Sequence, residues 1–374
     1  MNKLLLGLCL PALSLLVACG AVRSDLGPAH GEGHDEAHGG ACDCTLDLGL
    51  DYAIAIHGGA GSPSRDMPPA KRAALTGALE AALTRGRDAL AEGGTALDVV
   101  ELVIRQLEDD PNFNAGRGAV YTADERHELD ASIMCGDTLA CGAVGGVTTV
   151  RHPITLARLV MTETRHVLFV ADGAEAFADT QPVERVDNTW FDTEDNRAFL
   201  HRVLEERRSA GLVGEEPDDA LARLAAAGDA PPSSFGTVGC VVLDRHGNLA
   251  AGTSTGGLTA KSFGRIGDSP VVGAGTYAND RTCAVSGTGV GEEFIRHGVA
   301  RDVSARMAYL GHDLEAAAAE TMALLDEGVG GLIAVGRDGA ITMPYNTPGM
   351  LRAAADSAGR FEVLIWEQPE LLED

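Results

Sequence analysis

The feature that most constrains this chain is a Gly-Thr step at Gly236-Thr237. It stands where an acidic, proline-containing stretch, Glu215 to Ser234, gives way to the apolar run Val238 to Leu243, which reads as a buried strand. Glycine then threonine is, on its own, an ordinary way to enter a strand. It acquires chemistry if the bond between the two is cut. Thr237 then carries a hydroxyl and a free α-amine, whose pKa of roughly 7.7–8.0 leaves much of it neutral near working pH. Such an amine can act as base for the hydroxyl beside it, the threonine variant of nucleophilic catalysis. Gly236 suits the cut, because it opens backbone conformations closed to other residues and leaves its carbonyl accessible.

The residues that follow extend the pattern. Thr253-Ser254-Thr255-Gly256-Gly257 comes first, then Gly264-Arg265-Ile266-Gly267-Asp268-Ser269-Pro270, then Gly273-Ala274-Gly275-Thr276. With these motifs in order, the chain resembles the plant-type L-asparaginase and isoaspartyl peptidase (β-aspartyl-peptidase) family of N-terminal-nucleophile hydrolases, from about Tyr52 to Ile365. The order of strands, helices and strands supports only α/β or α+β. The resemblance implies α+β, a four-layer αββα sandwich. It also implies self-cleavage between Gly236 and Thr237, giving a part from 52 to 236 that ends in an acidic linker (212–236), and a part from 237 to 374. Thr237 would be the nucleophile, with Thr255 orienting it and the Thr288 hydroxyl and Gly289 N–H stabilising the oxyanion. Processed units are expected to form a homodimer.

Arg265 and Asp268 carry the specificity argument. A cation and an anion so close in a Gly-rich loop can hold the α-carboxylate and α-ammonium of one amino acid, and a guanidinium suits bidentate carboxylate binding. Their plainer reading is a surface ion pair. An amino acid held by both groups turns its side-chain amide towards Thr237, which describes L-asparagine or a β-aspartyl peptide. No cofactor is expected. Two rivals stand beside this reading. A glycosylasparaginase shares the fold, but typically has aspartate where Gly236 stands. A non-catalytic, tethered metal- or ligand-binding lipoprotein has no evident reason to keep both threonines beside the clamp.

The net charge of −26, with no basic cluster, argues against a nucleic-acid partner, whose phosphates need Lys and Arg. At the start of the chain, Lys3 precedes an apolar run from Leu4 to Ala18, short for a membrane span and typical of an export signal. Leu16-Val17-Ala18-Cys19-Gly20 resembles the lipobox of bacterial lipoproteins. The expectation is a signal peptide over 1–18, lipid on Cys19 and a flexible tether over 19–51 that anchors the enzyme to the cell envelope outside the cytoplasm. In that tether His30, His34, His38, Cys42 and Cys44 recur at short spacing, either as a weak metal site or as incidental residues of a solvated linker.

The folded part is expected to open with the strand Ala53 to Ile56, feeding His57-Gly58-Gly59-Ala60-Gly61. No Lys-Ser/Thr pair follows these glycines, so the phosphate-loop reading fails. The resemblance places Gly59 beside the nucleophile, and His57 is read as structural. Helices are expected over Pro69 to Glu92 and Ala96 to Glu108, the second capped by Thr95. The loop that follows contains Asn112-Phe113-Asn114-Ala115-Gly116-Arg117-Gly118. It resembles the family loop (107–118) whose carbonyls wrap a structural sodium ion, and Asn114 is the candidate brace for the nucleophile. Cys135 stands where the family usually has aspartate. With Cys141 it can form a local disulfide in an exported protein, or both can remain thiols.

Overall fold

The computed structural model describes residues 49–209 and 236–366. The export signal, Cys19, the tract His30, His34, His38, Cys42 and Cys44, and the acidic linker before Gly236 lie outside those residues.

Twelve strands form two sheets among the described residues. The first four are β1 (Ala53–Gly61), β2 (Leu129–Cys135), β3 (Cys141–Val147) and β4 (Leu168–Val170). Then come β5 (Val238–Leu243), β6 (Leu249–Thr255), β7 (Thr276–Ala278) and β8 (Cys283–Gly289). The last are β9 (Gly330–Gly336), β10 (Ile341–Thr342), β11 (Gly349–Asp356) and β12 (Phe361–Leu364). An eight-stranded sheet runs β12-β11-β1-β5-β6-β2-β3-β4, and a four-stranded sheet runs β10-β9-β8-β7. All pairings are antiparallel except β3 with β4. The chain is therefore α+β.

Alternation along the central strands explains how these sheets are covered. On β1, Ile54 and Ile56 enter one core with Val99, Val103 and Leu79, while Ala53 and Ala55 enter a second core. The first core is built with α1 (Pro69–Ala91), α2 (Ala96–Glu108) and α3 (Pro153–Glu163). The second brings Ala251, Val241 and Ala354 of the large sheet against Ala284, Ala334 and Leu332 of the small one. Small side chains let the sheets approach closely; large ones fill the space under the helices. Two further helices, α4 (Ala171–Ala178) and α5 (Glu194–Ser209), precede Gly236. After β8 come α6 (Gly291–His297), α7 (Val299–Leu310) and α8 (Leu314–Met322), and residues of α7 and α8 complete the second core.

Helix α2 follows its sequence signals closely. Thr95 Oγ1 accepts from the Asp98 amide at 3.3 Å, and Val99, Val100, Val103, Ile104 and Leu107 are all buried. Each such side chain contributes roughly 1.5–3 kcal/mol. The glycines after Ile56 depart from expectation. The strand does not end at Ile56: β1 runs on to Gly61 through a bulge between His57 and Gly59.

The two cysteines of the β2–β3 hairpin are free thiols. Met134 and Cys141 face each other across the pair, and Met134 belongs to the core between the sheets, against which Cys141 also packs. Cys135 is one residue further on, so its side chain leaves from the opposite face. Strand alternation keeps the two sulfurs apart. Among the described residues no helix is long and apolar enough to cross a membrane.

Candidate active site

Thr237 sits at the mouth of β5, a central strand paired on one side with β1 and on the other with β6. Its hydroxyl is 3.1 Å from Thr255 Oγ1 at the end of β6, and Thr255 Oγ1 also accepts from the Gly257 amide at 3.0 Å. Both threonines lie on the face that meets the small sheet, and both are buried. A cavity of about 160 Å³ opens beside them, lined by Thr237, Thr255, Asn114, Arg265, Asp268 and Gly289 among others. That is below the roughly 300–1,000 Å³ of sites for drug-sized ligands, and it suits a compact polar molecule.

Gly236 is pressed between two other candidates. Its φ is +137°, in a region that strongly favours glycine. A Cβ there would lie 2.7 Å from Thr288 Oγ1 and 2.9 Å from the α-carbon of Gly59. The aspartate typical of glycosylasparaginases has no room at this position. Thr288 Oγ1 accepts from the Ala60 amide at 3.3 Å, so the strand β1 glycines and the end of β8 meet around the bond before Thr237. Gly289, the next residue, has φ +150°, and a Cβ on it would meet the Val329 carbonyl at 2.2 Å.

The charged pair is arranged less simply than its spacing implies. Arg265 donates through Nε and Nη2 to Glu292 of α6, at 2.9 and 2.8 Å. The Arg265 guanidinium is therefore engaged and not free, because α6 begins directly against this loop: a Cβ at Gly291 would touch Asp268 Oδ1 at 2.7 Å and Arg265 Nη2 at 3.0 Å. Asp268 is buried, and its Oδ2 has no hydrogen-bond partner. Burial pushes its pKa up to about 7, and nearby Arg265 only partly offsets this. Behind the loop, buried Lys261 donates to the Glu128 carbonyl at 2.9 Å and stands 4.0 Å from Asp130 Oδ2, tying the clamp segment to the start of β2.

Asn114 lines the cavity, but its side chain braces a neighbour of Thr255 and does not touch Thr237. Nδ2 donates to the Gly257 carbonyl at 2.7 Å and Oδ1 accepts from the Val120 amide at 3.0 Å. Through Gly257 it steadies the turn whose amide holds Thr255. The carbonyls of loop 107–118 crowd two glycines: a Cβ would lie 2.2 Å from Glu108 O at Gly116 and 2.1 Å from Phe113 O at Gly118. The crowding shows close backbone packing in this loop, and the Phe113 carbonyl already accepts from the Ala115 amide at 2.9 Å. No group of three or more His, Cys, Asp or Glu fit to hold a metal exists among the described residues.

Sequence reasoning missed Glu292, although two acids opening a helix after Gly287-Thr288-Gly289-Val290-Gly291 were visible. It also read His57 only as structural. The ring is fully buried, with Nδ1 2.8 Å from the Thr237 carbonyl and Nε2 2.9 Å from Ser286 Oγ. Burial holds its pKa down to about 3, so the ring is neutral.

Comparison with known proteins gives this geometry a context. The model of the family described as "Asparaginase" matches residues 50–365. The chain is 47% identical over 326 residues to a protein of Arabidopsis thaliana named probable isoaspartyl peptidase/L-asparaginase 2, covering 84% of this chain and 99% of that one. It is 46% identical over 304 residues to the isoaspartyl peptidase of Escherichia coli K12, covering 80% and 91%. With the isoaspartyl peptidase/L-asparaginase of Rattus norvegicus the identity is 36% over 313 residues, covering 83% and 87%.

Proposed function

The chain belongs to the asparaginase family, and from that premise we propose that it is a self-cleaving amidohydrolase acting on β-aspartyl amide bonds, in L-asparagine and isoaspartyl dipeptides. The observation that carries the reading is the placement of Arg265 and the unpartnered carboxylate oxygen of Asp268 in one small cavity with Thr237. Asp268 is an anion waiting for a cation, and an α-ammonium supplies one.

Cleavage before Thr237 frees its amine, which takes the hydroxyl proton as Oγ1 attacks the β-carbonyl. The tetrahedral oxyanion is met by the Thr288 hydroxyl and the Gly289 N–H, donors worth about 2.7–4 kcal/mol each in comparable sites. Collapse expels ammonia or the next residue's amine, which leaves with the proton held by the Thr237 ammonium. Water, deprotonated by the same amine, then attacks the β-aspartyl ester and releases aspartate. Thr255 keeps the Thr237 hydroxyl in position throughout. Carbonyls of loop 107–118 would hold a sodium ion that supplies rigidity and takes no part in bond making.

The wider reading has several parts. The two cores and two sheets support a four-layer αββα sandwich, divided by processing into 52–236 and 237–374, with processed units paired as a homodimer. The first residues support an exported lipoprotein held to the envelope through Cys19, and Cys19→Ser should move the protein from the membrane to the soluble fraction.

The main test is intact mass and N-terminal sequencing of purified protein, followed by assay on β-aspartyl dipeptides and asparagine. Two fragments, one beginning at Thr237, and release of aspartate are the expected result. Thr237→Ala should abolish both, and an uncut or fully active variant distinguishes the outcomes: full activity in that variant sinks the mechanism.

A further inference from the structure

Between the two sheets lies a polar layer that none of these roles uses. Ser132, Thr253, Gly239 and His57 stand opposite one another on four neighbouring strands, β2, β6, β5 and β1. On the facing sheet Thr276 and Ser286 stand opposite one another on β7 and β8. All five hydroxyl and imidazole side chains of the layer, Ser132 included, are fully buried. They bond to each other in sequence. His57 Nε2 is 2.9 Å from Ser286 Oγ, and Ser286 Oγ is 2.7 Å from Thr253 Oγ1. Thr253 is bonded to Thr276, whose Oγ1 is 2.9 Å from Ser132 Oγ. One end of the chain is the Thr237 carbonyl, 2.8 Å from His57 Nδ1. The other is the Ser269 carbonyl, to which Ser132 Oγ donates at 2.5 Å. Gly239 supplies the gap: a Cβ there would lie 2.1 Å from Ser286 Oγ and 2.2 Å from His57 Nε2.

The protons can be placed. A carbonyl only accepts, so His57 carries its proton on Nδ1, and its bare Nε2 accepts from Ser286. Ser286 then accepts from Thr253, and Thr253 from Thr276. Ser132 closes the far end as the donor in both of its contacts, its single proton shared between Thr276 Oγ1 and the carbonyl of Ser269, the residue next to Asp268. A dry interior tolerates such a row only when every member is satisfied, and a satisfied row is rigid.

We infer that this row is a positioning network that fixes the nucleophile Thr237 relative to the Asp268 side of the substrate clamp. It rests on the proposed roles of those two residues. Once the bond to Gly236 is cut, Thr237 has lost its covalent neighbour on one side, and the imidazole holds its carbonyl while Thr255 holds its hydroxyl. The same row ends one residue from the carboxylate that receives the substrate's ammonium. Nucleophile and clamp come from distant segments, and the row spans the sandwich between them. None of its hydroxyls touches the cavity's reacting atoms.

The experiment compares Thr253→Val and Thr253→Ser with the parent, all fully processed, on a β-aspartyl dipeptide. Valine keeps the volume and deletes the middle link; serine keeps the link and loses a methyl. Thr253→Val should lower kcat/KM roughly ten- to a hundredfold, the scale of a misplacement of up to 1 Å, and Thr253→Ser should recover most of it. Packing alone predicts the reverse order, with valine harmless and serine impaired, and that result overturns the network. Nitrogen NMR of the parent's His57 supplies a second readout that needs no variant to fold: Nδ1–H supports the row, and Nε2–H refutes it. A parent inactive on the dipeptide would sink the proposed function instead, leaving the tautomer to decide the network.

Discussion

Gly236 is closed in by Thr288 at the bond proposed to break: a Cβ on Gly236 would lie 2.7 Å from Thr288 Oγ1. That carbon would also lie 2.9 Å from the α-carbon of Gly59, and the backbone has φ +137°. Three distant segments thus crowd one peptide, and only glycine in front of Thr237 relieves the crowding.

Gly236→Ala should therefore impair maturation. The substitution adds an unfavourable backbone conformation, on the order of 1–3 kcal/mol, to a steric conflict with Thr288. The uncut chain should accumulate, with self-cleavage at least about tenfold slower on a gel time course. Activity should track the cut fraction. An alanine variant that cuts at the parent's rate would show that the crowding has no part in processing.

The Arg265–Glu292 pair sets a second expectation. A substrate carboxylate must compete with a carboxylate already bonded to the guanidinium at 2.9 and 2.8 Å. Glu292→Gln removes the competing charge while keeping an acceptor, and should lower KM severalfold with little change in kcat. Arg265→Ala removes two charge-assisted bonds to substrate, each worth roughly 1.5–3 kcal/mol, and should raise KM at least about a hundredfold without stopping self-cleavage. Steady-state kinetics on asparagine separates the cases. A higher KM in Glu292→Gln would mean that Glu292 holds Arg265 ready for substrate.

Asp268 should impose a pH limit on binding. In the empty site its pKa is raised to about 7, by burial first, with Arg265 pulling it down. Below that pH the group is neutral and offers an α-ammonium no counter-charge. Once substrate is bound, its ammonium keeps Asp268 ionised. Thus kcat/KM should fall as pH drops through about 7 because of Asp268, while kcat should lack that limb and show only the Thr237 amine. Coincident acid limbs in both profiles would rule this out.

What the sequence revealed and concealed follows one physical line. Helix α2, the strand Val238–Leu243 and the threonine-glycine motifs are local, and periodicity, capping residues and spacing write them into short windows. Glu292 escaped because it meets Arg265 through the packing of α6 against a loop 27 residues earlier. The His57 row escaped for the same reason, since its members come from five strands and His57 reaches Ser286 only across the gap at Gly239. The Cys135–Cys141 pairing was left open by spacing and decided by alternation, which sends the two side chains to opposite faces.

Glu108 carries the last prediction, one of stability. It closes α2 fully buried, with Oε1 accepting from the Ile154 amide at 3.0 Å and from Ser254 Oγ at 2.7 Å, and Oε2 unpartnered. Burial raises its pKa to about 8, against smaller lowering effects of those two bonds. The folded protein thus holds a proton that the unfolded chain gives up near its ordinary pKa of 4.5. Stability from this group is fully present below that value and drains away as pH rises to about 8. Glu108→Gln keeps the shape and the acceptor but cannot ionise. In the uncut Thr237→Ala background, where a single chain unfolds, urea denaturation should favour the glutamine variant increasingly with pH. The gain should be on the order of 1 kcal/mol per pH unit between about pH 5 and 8. A constant difference across that range would mean that the carboxyl ionises in the folded chain as readily as in the unfolded one, with the Ser254 and Ile154 bonds offsetting its burial completely.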